Sequence, residues 1–402
     1  MSDEPRGEIT PSRGTVAEVG LAFLKLGLTS FGGPVAHLGY FRDELVVRRK
    51  WLDDAEYGDV VALCQFLPGP ASSQVVFALG MRRAGLGGAL AGSLAFTLPS
   101  ALAMIAFAYG AADLRRVLGS GFLHGLKLAA VVVVAQAVWG MGKKLCTDRA
   151  RLTITLMSAA VLLARPSAVT QIAVLVGAAL VGYRLFRAET KAAPAAPPSR
   201  APRAAIAALV LALGLLAVLP ALASWTGLRQ VAMVDAFYRS GSLVFGGGHV
   251  VLPLLRAETV PRGWLTDARF LEGYAGAQAV PGPLFTFAAF LGTAMNPGPY
   301  AWTSGLLGLA AIFLPAWLLV GGALPFWERL REAPWAKASL AGANAGVVGV
   351  LLAALYTPVV TEGITGRVDV ALVLLAFGAL ESWKAPPWLV VSGLAVVGAL
   401  VH

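Results

Sequence analysis

Apolar runs broken by short polar stretches recur thirteen times along the chain, at 15–33, 57–80, 86–109, 122–142, 152–164, 167–186, 204–223, 230–250, 268–294, 300–323, 339–360, 368–380 and 385–401. Crossing about 30 Å of hydrocarbon takes roughly 20 apolar residues, so the pattern predicts an all-α polytopic membrane protein with about thirteen transmembrane segments. Two neighbouring pairs are short, 152–164 with 167–186 and 368–380 with 385–401; each reads as a tight helical hairpin, or as a pair with one member that fails to span. The stretch Arg187–Arg203, rich in Pro, Ala and basic residues, reads as a solvated, semi-extended linker. The expected organisation is a first transmembrane repeat at 1–190, a cytoplasmic linker at 191–203, and a second repeat at 204–402 that opens with an extra helix at 204–223.

The word "repeat" rests on residues. Phe23 to Gly27, followed by Phe31-Gly32-Gly33-Pro34, matches Phe237 to Gly241, followed by Phe245-Gly246-Gly247-Gly248, at an offset of 214. Trp51-Leu52 and Asp54-Ala55 match Trp264-Leu265 and Asp267-Ala268 at 213, Asp59 falls on Glu272, and Gln65 on Gln278. Pro68-Gly69-Pro70 falls on Pro281-Gly282-Pro283, and Leu98-Pro99 on Leu314-Pro315. So small a drift over such a length is a duplication. The first FGG closes segment one and the second closes segment eight. Seven crossings apart is odd, so the halves are expected to be inverted repeats, as in many secondary transporters.

Composition sharpens the class. Of 402 residues 57% are hydrophobic and 13% charged, where soluble domains carry roughly 25% charged. The net charge of +10 sits in short loops, as orientation signals do, rather than in a stripe with interleaved aromatics, so a nucleic-acid partner is excluded and membrane lipid is the expected surround. Lys and Arg favour the loops on the N-terminal side by about two to one, which places the N-terminus in the cytoplasm and, with thirteen crossings, the C-terminus in the periplasm of a bacterial inner membrane. The first fourteen residues lack the charged and apolar regions of a cleaved signal. Cys64 and Cys146 make neither a zinc set nor an expected disulfide. No phosphate loop, HExxH, GxSxG or Cys/His cluster occurs. An enzyme is therefore not expected, nor is a metal or cofactor.

Candidate chemistry gathers where the repeats match. Each PGP (Pro68, Gly69, Pro70 and Pro281, Gly282, Pro283) removes backbone donors and predicts a broken helix. The half-helix after it presents unpaired N–H groups near Ser72 and Ser73, and near Thr286, a disposition suited to an anion; the plainer reading is a packing kink. Lys25 and Arg239 lie six residues before their FGG inside apolar segments, where a cation is costly and usually serves a pathway. For Arg239 an ion pair with Asp235, one turn earlier, is the structural alternative. Lys127 is a third such cation, and its partner position is Asn344. The FGG glycines with their phenylalanines (Phe31, Gly32, Gly33; Phe245, Gly246, Gly247) offer either close backbone approach to substrate or tight helix packing. Gln65 and Gln278 complete the matched polar positions. Asp235, Asp59 and Glu272 are candidates for proton coupling. His37, His124 and His249 do not align and read as loop or interface residues.

FGGP, then WL, then PGP, in tandem over nearly the whole chain, resembles the chromate ion transporter family in its long, two-repeat form. The second copy departs by reading FGGG. The resemblance implies a secondary transporter that exports chromate, a tetrahedral oxyanion resembling sulfate, coupled to the proton motive force. Import of sulfate or another oxyanion, or an anion channel, uses the same residue types and stays open, as does assembly as a homodimer.

Overall fold

The computed structural model describes residues 14–31, 33–187, 202–245, 248–327 and 333–401, and among these every regular element is helical. The linker expected at 191–203 lies outside the described residues up to residue 201.

Helix α1 (Val16–Thr29) starts where the Thr15 hydroxyl accepts from the Glu18 N–H at 3.1 Å. Fourteen residues rise about 21 Å, short of a crossing. After Ser30 the chain enters α2 (Gly33–Phe41) and a π-helical turn, Arg42–Arg48, and comes back: the Trp51 indole donates to Glu18 Oε1 at 2.8 Å. Next, α3 (Asp54–Phe66) is opened by a capping box between Asp53 and Glu56. It stops at Pro68-Gly69-Pro70, and α4 (Ala71–Leu145) begins. Arg82 reaches Glu56 at 2.6 Å, so this pair of arms also closes at its base. Gly85, with φ +64, then turns α4 back on itself, and the backbone of Gly80 lies against Gly88 and Ala89.

The second half repeats the plan. The helix Arg229–Ser242 leads through a 3-10 turn, Gly248–Val250, into the helix Val251–Thr259. The helix Asp267–Ala279 stops at Pro281-Gly282-Pro283, and the helix Phe287–Met295 follows a 3-10 turn, Leu284–Thr286. Arg229 ties the bases together, donating to the Met295 carbonyl at 2.9 Å and lying 6.0 Å from the Trp264 ring. The runs 15–33, 57–80, 230–250 and 268–294 were expected to cross singly. Instead each is an arm or the whole of a hairpin, because FGG or PGP ends the helix and the polar flanks pair with one another.

These hairpins are rooted at opposite ends of one helix. The stretch 86–110 of α4 starts beside the first pair, where the Gly14 N–H donates to the Arg83 carbonyl at 3.0 Å. At its far end Arg269 donates to the Ala108 carbonyl at 2.8 Å, and the Tyr109 hydroxyl lies 3.2 Å from the Gly298 and Pro299 carbonyls. Six helices among the described residues are long and apolar enough to cross a membrane: 71–110, 121–145, 169–186, 203–226, 301–326 and 334–363. That is fewer than the thirteen expected, since four of the runs fold back and three, 152–164, 368–380 and 385–401, form helices of only 15 or 16 residues. The helix 203–226 joins the halves, and only 11% of its apolar window is buried, as suits a surface bathed in lipid.

One apolar core draws on both halves, with Met104, Val131 and Val134 beside Phe237, Phe287 and Leu351. Small residues set its tightest contacts. A Cβ on Gly342 would stand 2.6 Å from Gly182 Cα, so helix Pro334–Ala354 and helix Ala168–Phe186 touch backbone to backbone. Gly342→Leu is expected to lower stability by about 1–3 kcal/mol through overpacking, read as a lower melting temperature of the detergent-purified protein.

Candidate functional site

The hairpin tips meet in the middle of the molecule, and they meet reciprocally. The Gly69 N–H donates to the Val244 carbonyl at 2.7 Å, and the Gly282 N–H donates to the Ser30 carbonyl at 2.9 Å. Ser30 and Val244 are repeat partners, each the residue before its FGG, and Gly69 and Gly282 are repeat partners too. So the PGP of each half seats on the FGG end of the other. The flanking helices obey the same rule: a Cβ on Gly69 would stand 3.2 Å from Ala316 Cβ, and one on Gly282 2.8 Å from Ser100 Oγ. Ser100 and Ala316 each follow the in-helix proline of their half, Pro99 and Pro315. Across the two copies, then, residue i contacts j and the counterpart of j contacts the counterpart of i.

Both glycines need backbone that other residues avoid, φ +128 at Gly69 and +101 at Gly282. Neither following helix has a side-chain cap at its Pro, and the first N–H groups of a helix have no intrahelical partner; at the second tip, however, the Thr286 N–H expected to be free donates to the Pro283 carbonyl at 3.0 Å. Gln74 braces one tip, donating to the Pro68 carbonyl at 2.8 Å. Ser72, Ser73 and Thr286 are all buried here. Thr286 donates to the Pro283 carbonyl at 2.9 Å, while Ser73 Oγ and Ser30 Oγ are buried without a hydrogen-bond partner. Buried hydroxyls of that kind cost about 1–3 kcal/mol unless something else satisfies them. Phe31 packs with Trp388 at 5.9 Å, Phe245 lies against the core, and Gly33 opens α2 at φ +77. Gly32, Gly246 and Gly247 lie outside the described residues.

Lys25 and Arg239 hold matching positions in the two repeats but are not bare. Lys25 Nζ lies 2.7 Å from Glu44 Oε2, and Glu44 also takes Arg49 at 2.9 Å and Arg48 at 3.6 Å. Arg239 lies 2.6 Å from Asp235 and 3.3 Å from Glu258, which takes Arg262 at 2.8 Å. Glu44 and Glu258 are themselves repeat partners at offset 214, and the sequence reading passed over both. Beyond them, Arg42 grips Asp54 at 2.7 and 3.1 Å, and Arg256 grips Asp267 at 2.6 and 3.0 Å. The slip in offset from 214 to 213 falls inside the π-helical turn, which holds one residue more than an α-turn. Accordingly Glu44 meets Arg49 at i+5, whereas Glu258 meets Arg262 at i+4.

Other sequence candidates fall elsewhere. Lys127 is half-buried, with its carbonyl close to Gly363, and Asn344 Oδ1 is buried without a partner. Gln65 is exposed, but Gln278 is half-buried one turn past Tyr274, whose hydroxyl lies 2.7 Å from His249 Nδ1. His124 pairs with buried Asp369 at 2.9 Å, and His37 packs between Phe41 and Phe96. Asp59 is exposed, and Glu272 is 2% exposed with Arg269 at 3.2 Å. Among the described residues no group of three His, Cys, Asp or Glu is placed to hold a metal.

The chain is similar to the chromate transport protein of Pseudomonas aeruginosa, with 31% identity covering 91% of each chain, and to that of Cupriavidus metallidurans, with 28% identity covering 96% of this chain and 94% of the other. A probable chromate transport protein of Synechococcus elongatus is 29% identical over 94% and 93%. No solved structure matches. The family model described as chromate transporter matches twice, at residues 17–183 and 231–399, once on each pair of hairpins with the helices that follow. The chain thus belongs to the chromate transporter family.

Proposed function

We propose that the protein is a secondary transporter that exports chromate across the bacterial inner membrane, by alternating access at the meeting point of the hairpin tips. The observation that carries this reading is the reciprocal seating of PGP on FGG between hairpins rooted at opposite ends of the stretch 86–110. Two re-entrant pairs entering from opposite faces give an inverted repeat, and helix 203–226 is the odd crossing that turns the second copy over. Broken backbone at membrane depth is tolerated where it lines a cavity, and the free N–H groups after each PGP, with the Ser30 and Ser73 hydroxyls, suit a tetrahedral dianion. Lys25 and Arg239 stand one to two turns from the tips, one on each side.

The sidedness follows from charge. With re-entrant hairpins, Arg42, Arg48, Arg49 and Lys50 join the N-terminal face, while Arg256, Arg262 and Arg269 move to the other, so the Lys and Arg excess stays on the N-terminal face and makes it cytoplasmic. A dianion leaving an inside-negative cell gains about 2.3 kcal/mol per charge per 100 mV, roughly 4.6 kcal/mol in all, enough for about a thousandfold gradient. Membrane potential therefore supports export without a dedicated carboxylate, and Asp235 and Glu272 are both engaged by arginines.

Labelled chromate supplied to inside-out vesicles is expected to enter with saturating kinetics, to show counterflow when the lumen is preloaded, and to be competed by sulfate. Flux that rises linearly with concentration and lacks counterflow would make the protein a channel.

A further inference from the structure

The two ion clusters beside the tips are repeat partners in position but not in charge. In the first, Lys25, Arg48 and Arg49 surround the single carboxylate of Glu44. Three positive charges against one negative leave two in excess. In the second, Arg239 and Arg262 face Asp235 and Glu258, and the charges cancel. The difference has a definite origin. Asp235 precedes Arg239 by one turn, and the matching residue one turn before Lys25 is Leu21. On the other side, the longer π-helical turn brings both Arg48 and Arg49 to Glu44 where one arginine serves Glu258.

A buried carboxylate such as Glu44, with 7% of its side chain exposed, needs about one cation for balance. The surplus groups are the accessible ones, since the side chains of Lys25 and Arg48 are 49% and 69% exposed. Counting 1.5 Å per residue from Val16, Lys25 sits about 14 Å in from the base of its hairpin and roughly 7 Å short of the Ser30 tip. Arg239 sits at the matching depth from the opposite base. On a path through the tips, as proposed above, one cluster stands on each side.

We infer that the Lys25–Glu44–Arg48–Arg49 cluster is an entry site for a divalent oxyanion, its two surplus positive charges matching the charge of the ligand, while the self-neutralised Asp235–Arg239–Glu258–Arg262 cluster binds the ion more weakly on its way out. Sites of unequal charge on either side of a symmetric centre give the pathway a direction: capture on the first half's face, release on the second's. This rests on the transporter and sidedness reading above and names where the substrate first docks.

The test is kinetic and sided. In inside-out vesicles, where the first half's face meets the medium, Arg48→Gln with Arg49→Gln is expected to raise KM for chromate about tenfold or more by removing charge-assisted contacts, with maximal rate held. Wild-type KM should rise with ionic strength, since exposed charges are screened, and the double variant should flatten that dependence. Assayed from the opposite face in right-side-out vesicles, KM should be the same for both proteins. Arg48→Gln alone, at a side chain 69% exposed where the fold tolerates substitution, should shift KM in the same direction by a smaller factor. Unchanged KM and salt dependence in vesicles that still transport chromate overturns the entry site and leaves the transporter reading intact; an equal rise in KM from both faces overturns it as well. Wild-type vesicles that take up no chromate would instead sink the transporter reading itself.

Discussion

Gly282→Ala is expected to cut chromate transport at least tenfold while the protein still reaches the membrane. At φ +101 an L-residue pays roughly 1–3 kcal/mol of backbone strain. The new Cβ would also stand 2.8 Å from Ser100 Oγ and 3.2 Å from Ser100 Cβ, closer than contact allows. Relieving both means moving the tip away from Ser30, and the cross-repeat hydrogen bond is lost with the movement. Because about 1.4 kcal/mol is a factor of ten, even a modest displacement of a site built from backbone donors shows in the rate. Gly69→Ala, at φ +128 and crowded by Gln74 at 2.7 Å and Ala316 at 3.2 Å, should behave alike, as repeat symmetry requires. Gly214→Ala, helical and with open space around it, is the control and should leave transport untouched. Relief of crowding gives a second readout: Ser100→Gly in the Gly282→Ala background should recover part of the lost flux. If Gly282→Ala transports as wild type does, the tips are not on the pathway.

Such symmetry was legible in the sequence because duplication leaves its offset in every matched pair, and because Pro and Gly at equal positions break both copies alike. Whether an apolar run crosses or turns back was not legible. Either fate needs apolar residues over the same length, and what decides it is pairing between distant polar flanks: Trp51 on Glu18, Arg82 on Glu56, Arg229 on the Met295 carbonyl. One clue lay in view, since Glu56 and Arg82 bracket the run 57–80 with opposite charges. The ion pair of Arg239 with Asp235 was readable from its i,i+4 spacing, but the partners of Lys25 were not, because Glu44 is nineteen residues on and reaches it only once FGG folds the chain back. Its repeat partner Glu258, at the shared offset of 214, was the signal that was missed. The slip from 214 to 213 was visible too, but only the π-helical turn gives it a cause.

Charge at Arg239 separates a structural role from a transport role. Arg239→Gln is expected to weaken chromate transport ten- to a hundredfold, since losing a charge-assisted contact forfeits about 1.5–3 kcal/mol. It should also lower stability, because the guanidinium lies between Asp235 at 2.6 Å and Glu258 at 3.3 Å, and both carboxylates are 6% exposed. Arg262 remains on Glu258 at 2.8 Å, so Asp235 is the group stranded, and a buried carboxylate left without its cation is costly. Asp235→Asn removes that burden in advance. The double variant Asp235→Asn with Arg239→Gln should therefore melt close to wild type in detergent, yet still transport poorly in inside-out vesicles. Recovery of both stability and transport would make Arg239 a partner to its carboxylates and nothing more. Recovery of stability alone assigns the guanidinium to the path of the anion, at the step where the dianion leaves the tips and meets a cluster whose charges already cancel.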